Sequence, residues 1–280
     1  MPPHGRGTLF VVATPLGNLQ DMTARALEVL RTASVVACED TRRTRSMLER
    51  FGIRPARLIS YHKFNESRRR GALLSVLLGG EDVALVSDGG TPGVSDPGAA
   101  VVSAALEEGL PVSPVPGPSA VAAAVSVCGF EAQSFVFAGF LPARGSPRRK
   151  ALEALREERR PMVLFEAPHR VARTAADLLE ILGDRPVTVL REATKRFEEV
   201  HRTGMRSLAE SLEQTEPRGE YTLVIAGRGE EERAELTDGT VKERYAKLLA
   251  GGVERREALR LLARESGMPR RRIYDILKTD

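Results

Sequence analysis

The chain has 280 residues, 42% of them hydrophobic and 29% charged, with a formal net charge of +4 and two cysteines. That length suggests two domains and a sizeable core. No run of eighteen apolar residues marks a membrane span, and two cysteines with four scattered histidines give neither a disulfide framework nor zinc-ligand spacing. The opening stretch MPPHGRGTLFVVA lacks the apolar stretch and cleavage site of a signal peptide. The expected location is therefore the cytoplasm, with no membrane partner and no metal.

In chain order, short apolar runs alternate with helical patterns. Leu9 to Ala13 reads as a strand and Asp21 to Arg31 as a helix. Val35 to Cys38 is a strand followed by a helix near Thr44 to Arg50, and Leu58 to Ser60 is a strand followed by a helix near Ser67 to Leu78. Val83 to Val86 and Val112 to Val115 continue the rhythm. This β-α-β pattern with short connections predicts a mostly parallel sheet covered by helices. A second half follows, with strands at Phe135 to Ala138, Met162 to Phe165, Val187 to Leu190, Val200 to Thr203 and Leu223 to Ala226, and helices at Arg148 to Arg159 and Val171 to Leu182. The proline-punctuated PVPGP, Pro114 to Pro118, marks a boundary. The expected division is an N-terminal α/β domain over 1–116, a C-terminal α/β domain over 117–232 and a basic helical tail over 233–280. The loop from Leu141 to Lys150 has the composition of a mobile lid, and GRGEEERAEL, Gly227 to Leu236, that of a charged linker.

The loops that follow the first five strands share a character. They read TPLGN (Thr14 to Asn18), EDTRRT (Glu39 to Thr44), YHKFNE (Tyr61 to Glu66), SDGGTPGVSDP, and PGPSA (Pro116 to Ala120). Each is rich in Gly, Pro and polar groups, and each lies at a strand's carboxyl end, where open parallel sheets bind ligands. The opposite loops are ordinary turns. Within LVSDGGTPGVSDPG, Leu85 to Gly98, glycines permit close backbone approach to a ligand, prolines hold the loop in shape, and Asp88 at the strand tip offers a directed acceptor. Neither G-x-G-x-x-G nor G-x-x-x-x-G-K-[ST] occurs, nor a G-x-S-x-G elbow. What remains is a cradle for an uncharged or zwitterionic ligand.

Taken in order, TPLGN, ACEDTR, YHKFNE, VSDGGTPGVSDPG, PGPSA, FAGFLP, FEAPHR and REATK closely resemble the bacterial small-subunit ribosomal RNA methyltransferase I family. That family lies within the tetrapyrrole-methylase-like superfamily of S-adenosylmethionine (SAM) enzymes, and the resemblance runs from Leu9 to about Gly227. It implies two α/β domains with SAM in the cleft between them, a homodimer, and 2′-O-methylation of a cytidine in the decoding centre of 16S ribosomal RNA. It implies SAM contacts at Pro15, Leu16 and Gly17, at Asp88, Gly89, Gly90 and Thr91, and at Ser119 and Ala120. In the second half it implies contacts near Ala193, Tyr221 and Thr222. TPLGN replaces the glycine-rich first loop usual in tetrapyrrole methylases, which argues against a porphyrinoid substrate. A tetrapyrrole-like small-molecule methyltransferase and a nucleic-acid-binding regulator with a ligand-sensing α/β part are the competing readings.

A ribose hydroxyl is a weak nucleophile that benefits from a general base. Candidates at the carboxyl edge are Glu39, Asp40, His62 and Glu66, with Glu166, His169 and Lys195 from the second half, and the EDTR carboxylates Asp40 and Glu39 are favoured. Asp40 is equally suited to cap the next helix, and Glu39 to pair with Arg42. Arg42, Arg43, Arg144, Arg148 and Arg149 suit phosphate contacts that position RNA without reading its sequence.

The tail from Gly239 to Asp280 holds eleven Lys and Arg against six Asp and Glu, a basic excess suited to a polyanion such as 16S rRNA or the small ribosomal subunit. It reads as three short helices. Thr240 and Glu243 have capping-box spacing, Gly267 stops the second helix, and Pro269 opens a third that carries Arg270, Arg271 and Arg272. Ile273, Ile276 and Leu277 form its apolar face. A helix-turn-helix and a plain packing appendage fit the pattern equally.

Overall fold

A computed structural model describes residues 5–229, 238–266, 268 and 270–278. The chain forms two compact units, Met1–Ala226 and Gly227–Asp280. The first contains two five-stranded sheets.

The first sheet is built from β1 (Leu9–Val12), β2 (Val35–Cys38), β3 (Leu58–Ser60), β4 (Val83–Val86) and β5 (Val112–Val115), in the order β3-β2-β4-β1-β5. Every pairing is parallel. Side chains alternate across a strand, so a sheet covered on both faces must be apolar at nearly every position. Val12, Val36, Cys38, Ala84 and Val86 accordingly pack on one face with Ala26, Val29 and Leu30 of α1 (Ala24–Thr32). Leu9, Val35, Ala37, Val83 and Leu85 pack on the other, with Leu73 and Leu77 of α3 (Glu66–Leu78) and Val101 and Ala105 of α4 (Ala99–Glu107). α2 (Thr41–Arg50) closes the β2–β3 crossover. Both cysteines are free and buried.

The chain leaves β5 at Val115 and enters α5 (Ala120–Val127), whose Val121 and Ala124 pack against the second sheet. That sheet runs β6 (Val136–Phe140), β7 (Met162–Glu166), β10 (Tyr221–Ile225), β8 (Pro186–Arg191), β9 (Glu199–Gly204). Only β6 and β7 are parallel; the other pairs are antiparallel. Its other face is covered by α6 (Gly145–Leu155), α7 (Pro168–Leu182) and α8 (Met205–Gln214). α4, α5 and α8 have no counterpart in the sequence reading. α4 and α5 are apolar on nearly all sides and short, so periodicity gives them little contrast.

Two expectations are corrected here. Leu141 to Lys150 is not a lid, because α6 begins at Gly145 and the segment is tied down. The Leu141 carbonyl accepts from Arg170 at 2.6 Å, and Arg148 bonds both the Ala143 carbonyl and Asp177. α6 also ends at Leu155, four residues before the expected Arg159.

The second unit has three helices among its described residues, α9 (Asp238–Ala250), α10 (Arg255–Ser266) and α11 (Arg270–Lys278). Val241, Leu262, Ile273 and Ile276 form its core. α9 starts two residues ahead of Thr240, so Thr240 stands inside the helix and not at its cap. Gly267, Pro269 and most of the expected linker, residues 230–237, lie outside the described residues. No helix of the described residues is long and apolar enough to cross a membrane.

Candidate functional site

The carboxyl-end loops of the first sheet are laced to one another by short hydrogen bonds. Thr14 and Gly90 exchange backbone bonds of 2.9 and 2.8 Å, and the buried Thr14 hydroxyl donates to the Ser87 carbonyl at 3.0 Å, joining the first loop to the fourth. Asp88 joins the fourth to the second: its carboxylate accepts the Asp40 N–H at 3.1 Å and pairs with Arg43 at 3.2 Å. The Thr91 hydroxyl donates to the Pro118 carbonyl at 3.3 Å, joining the fourth to the fifth. Asn18 N–H donates to the Thr194 hydroxyl at 3.2 Å, which brings in the second half.

Two of the glycines are required here. Gly90 has φ +86°, and a Cβ on it would meet Leu16 at 3.3 Å; a Cβ on Gly89 would stand 3.3 Å from the Pro15 carbonyl. The backbone of this loop thus lies bare and close against the first loop, as a ligand cradle requires.

The loops enclose a cavity of about 650 Å³ within the first unit. The first sheet supplies Leu16, Arg43, Asp88, Gly89, Gly90, Thr91 and the following Val94, Ser95 and Asp96, then Ser119, Ala120 and Val121. The second supplies Phe140 from the end of β6, Phe165 and Glu166 from the end of β7, His169, Lys195, and Glu220, Tyr221 and Thr222 at the start of β10. Such a volume and mixed lining suit a small-molecule ligand. Among the described residues no cluster of His, Cys, Asp and Glu is arranged to hold a metal ion.

The second half delivers its polar groups through side chains. Glu166 is buried, accepts the Thr174 hydroxyl at 2.7 Å and the Ala167 N–H at 2.9 Å, and stands 3.3 Å from Arg170. Lys195 reaches Glu192 at 2.9 Å and Glu220 at 3.0 Å. Burial draws the Lys195 ammonium down, and these two carboxylates more than restore it. Glu192 and Thr194 hold non-glycine backbone at φ +52° and +63°, a strained turn of the kind found beside functional sites.

Asp40 is the N-cap of α2, accepting the N–H of Arg42 at 2.8 Å and of Arg43 at 3.3 Å. Those backbone donors hold its carboxyl below the ordinary range. Neither Asp40 nor Glu39 lines the cavity. Burial, and then the Asp88 carboxylate, push the Glu39 carboxyl up, with His62 and Arg43 opposing. Asp96 does line it. Burial, then the Glu39, Asp88 and Glu220 carboxylates, push its carboxyl up to about 6 against the pull of the Ser87 hydroxyl.

Of the residues singled out in the first half, Pro15 and Gly17 do not line the cavity. Gly17 lies against the Lys195 side chain. Ala193 packs into the apolar cluster with Val121 and Leu190. Arg148 is a correction: it is 2% exposed and bound to Asp177 at 2.6 Å, so it buttresses α6 against α7 and cannot meet RNA. Arg149 pairs with Asp177 and Glu180. Arg42 and Arg144 are exposed, as are Arg270, Arg271 and Arg272. The sequence reading missed Ser95, Asp96, Phe140, Phe165 and Glu220. Asp96 lay within the run already singled out, whereas Glu220 carried no local signal.

The family model for tetrapyrrole (corrin/porphyrin) methylases matches residues 8–209. A protein of Synechocystis sp. named ribosomal RNA small subunit methyltransferase I is 42% identical over 96% of this chain and 97% of its own. One of Pseudomonas aeruginosa with the same name is 40% identical over 96% and 95%. A third, of Thermotoga maritima, is 44% identical over 99% of its own length but only 79% of this chain. Among solved structures, the methyltransferase CobJ superposes with a TM-score of 0.60 at 19% identity over 79% of this chain and 94% of its own. A uroporphyrin-III C-methyl transferase from Thermus thermophilus, complexed with S-adenosyl homocysteine, superposes with a TM-score of 0.56 at 20% identity over 79% and 97%. These two likenesses establish the fold.

Proposed function

The chain belongs to the tetrapyrrole (corrin/porphyrin) methylase family, within the group of ribosomal RNA small subunit methyltransferase I proteins, and from that premise we propose that it methylates the ribose 2′-hydroxyl of a cytidine in the decoding centre of 16S ribosomal RNA. The observation that carries the reading is the glycine-lined cavity at the carboxyl edge of the parallel sheet, with an ionisable carboxylate in its wall. The cofactor is SAM, and the residues present fit it. Gly89 and Gly90 present bare backbone in the cavity wall, and Phe140 and Phe165 offer apolar walls. Leu16, Gly89, Gly90, Thr91, Ser119, Ala120, Tyr221 and Thr222 would hold it.

When bound, SAM supplies an electrophilic methyl group on a sulfonium. In-line displacement is governed by alignment, which the laced loops provide by fixing the cavity wall before substrate arrives. The proton acceptor in this reading is Asp96 rather than Asp40. A base is most effective when its pKa lies near the working pH, and a carboxyl near 6 is both ionised at neutral pH and basic enough to take a hydroxyl proton in the transition state. Asp40 is committed to its helix cap. Asp88 acts as a brace, holding Arg43 and the Asp40 N–H at the rim.

Arg42, Arg43, Arg144 and the exposed arginines of α11 would meet phosphates, and the active form would be a homodimer in the cytoplasm. Small subunits lacking the modification, incubated with tritium-labelled SAM, should accept label at a single cytidine and lose 2′-hydroxyl reactivity there. Label on a base, or none, would end the proposal.

A further inference from the structure

Phe64 is 94% exposed, more than any other large apolar side chain among the described residues. A phenyl ring left in water forgoes the stabilisation that burial would give it, and this ring is held there by a stiff loop. Asn65 Oδ1 accepts the His62 N–H at 2.8 Å, and Asn65 Nδ2 donates to the Ser60 carbonyl at 3.2 Å. The Phe64 N–H donates to His62 Nδ1 at 3.2 Å, and the two rings meet edge-on with centroids 6.1 Å apart.

Strand register fixes where this loop stands. Cys38 pairs with Ser60, and the Tyr61 N–H donates to the Cys38 carbonyl at 2.7 Å. The loop after β3 therefore leaves the sheet beside the Glu39–Thr44 loop, whose Arg43 lines the cavity. The surroundings are basic. Lys63 is adjacent, Arg42 and Arg45 stand on the first turns of α2, and Arg68 and Arg70 on α3, all exposed; the acids nearby are Glu66 at the start of α3 and Glu39 and Asp40 of the neighbouring loop, all three half-buried.

We propose that Phe64 is a stacking platform for an unpaired base of the RNA substrate, with Lys63 and the neighbouring arginines on the adjoining phosphates. A lone ring among cations matches the way single-stranded nucleic acid is gripped. A protein partner would instead need a contiguous apolar patch, and the other exposed large apolar side chains lie on other elements. The inference rests on the RNA reading above, and its test separates the two.

A single-stranded RNA oligonucleotide containing 2-aminopurine is titrated with the full chain, Phe64→Ala, Phe64→Tyr and Lys63→Ala at several salt concentrations. Phe64→Ala should bind about ten- to one-hundred-fold more weakly, without base quenching and with an unchanged salt slope, because stacking releases no counterions. Phe64→Tyr should bind like the parent, and Lys63→Ala should shallow the log–log slope by about 0.7. Equal affinity of Phe64→Ala and parent overturns the platform, as does a Tyr variant as weak as Ala. A parent that binds SAM but neither the oligonucleotide nor the small ribosomal subunit overturns the RNA reading itself. The variants test binding and not folding, because an exposed ring adds nothing to the core.

Discussion

The two halves of the first unit build their shares of the cavity by different means. The parallel sheet offers bare glycine backbone and loops tied together by the Thr14–Gly90 backbone pair and by the short Thr14, Asp88 and Thr91 side chains. The mixed sheet offers side chains, with Glu166 buried among Thr174 and Arg170, and Lys195 between Glu192 and Glu220. Parallel strands all end at one edge, so their loops lie side by side and can bond through the main chain. In the second sheet β7 and β8 end where β10 begins, and its polar groups reach the cavity on longer side chains. A cradle made of backbone is sensitive to added atoms, and one made of charges to the removal of a partner.

The largest expected effect cuts across this contrast, because the reactive side chain sits in the backbone-built half. Asp96→Asn should slow single-turnover methyl transfer by about 10²–10⁴-fold with SAM affinity unchanged. The parental rate should climb with pH through about 6 and then level, since the acceptor must be ionised, and the variant should lose that limb. The same substitution should raise thermal stability at pH 7. A folded-state pKa raised from 3.8 to about 6 means that the contribution is fully present below 3.8 and lost as pH rises through 6. The gain should vanish near pH 4. A variant with parental rates would return the role to Glu39 or to alignment alone.

Glu166→Ala comes next. It removes the acceptor for Thr174 and the partner of Arg170, and should cost about 1.5–3 kcal/mol in denaturant unfolding. Gly90→Ala should leave the second sheet intact and weaken SAM binding by roughly tenfold. A side chain at φ +86° stores about 1–3 kcal/mol of strain and presses on Leu16. If calorimetry gave Gly90→Ala parental affinity, the backbone cradle would not be the ligand's seat.

The smallest effect on the cofactor is expected from truncation after Ala226. SAM affinity should not move, while binding to the small subunit should weaken and its log–log salt slope flatten by about 0.7–0.9 for every phosphate that the C-terminal unit had neutralised. Equal slopes with and without the C-terminal unit would end the idea that it grips RNA.

What the sequence determined by itself was the parallel sheet and its working edge. Val35–Cys38 and Val83–Val86 are apolar at every position, which only a strand buried on both faces tolerates. The loops that follow the strands combine glycine, proline and polar functional groups, while the opposite loops are ordinary turns. The last tail helix was legible for the related reason that Ile273, Ile276 and Leu277 recur at helical spacing. Tertiary structure alone decided which charges were free. Arg148 and Arg149 looked alike in SPRRK, yet one is buried on Asp177 and the other is part-exposed. Asp40 and Asp96 are both aspartates after strands. The first is engaged by two backbone donors at a helix start, while the second is raised by burial and by Glu39, Asp88 and Glu220, residues that adjoin it only once both sheets have formed. Burial and charge partners act through space and across distant segments, so no local pattern records them.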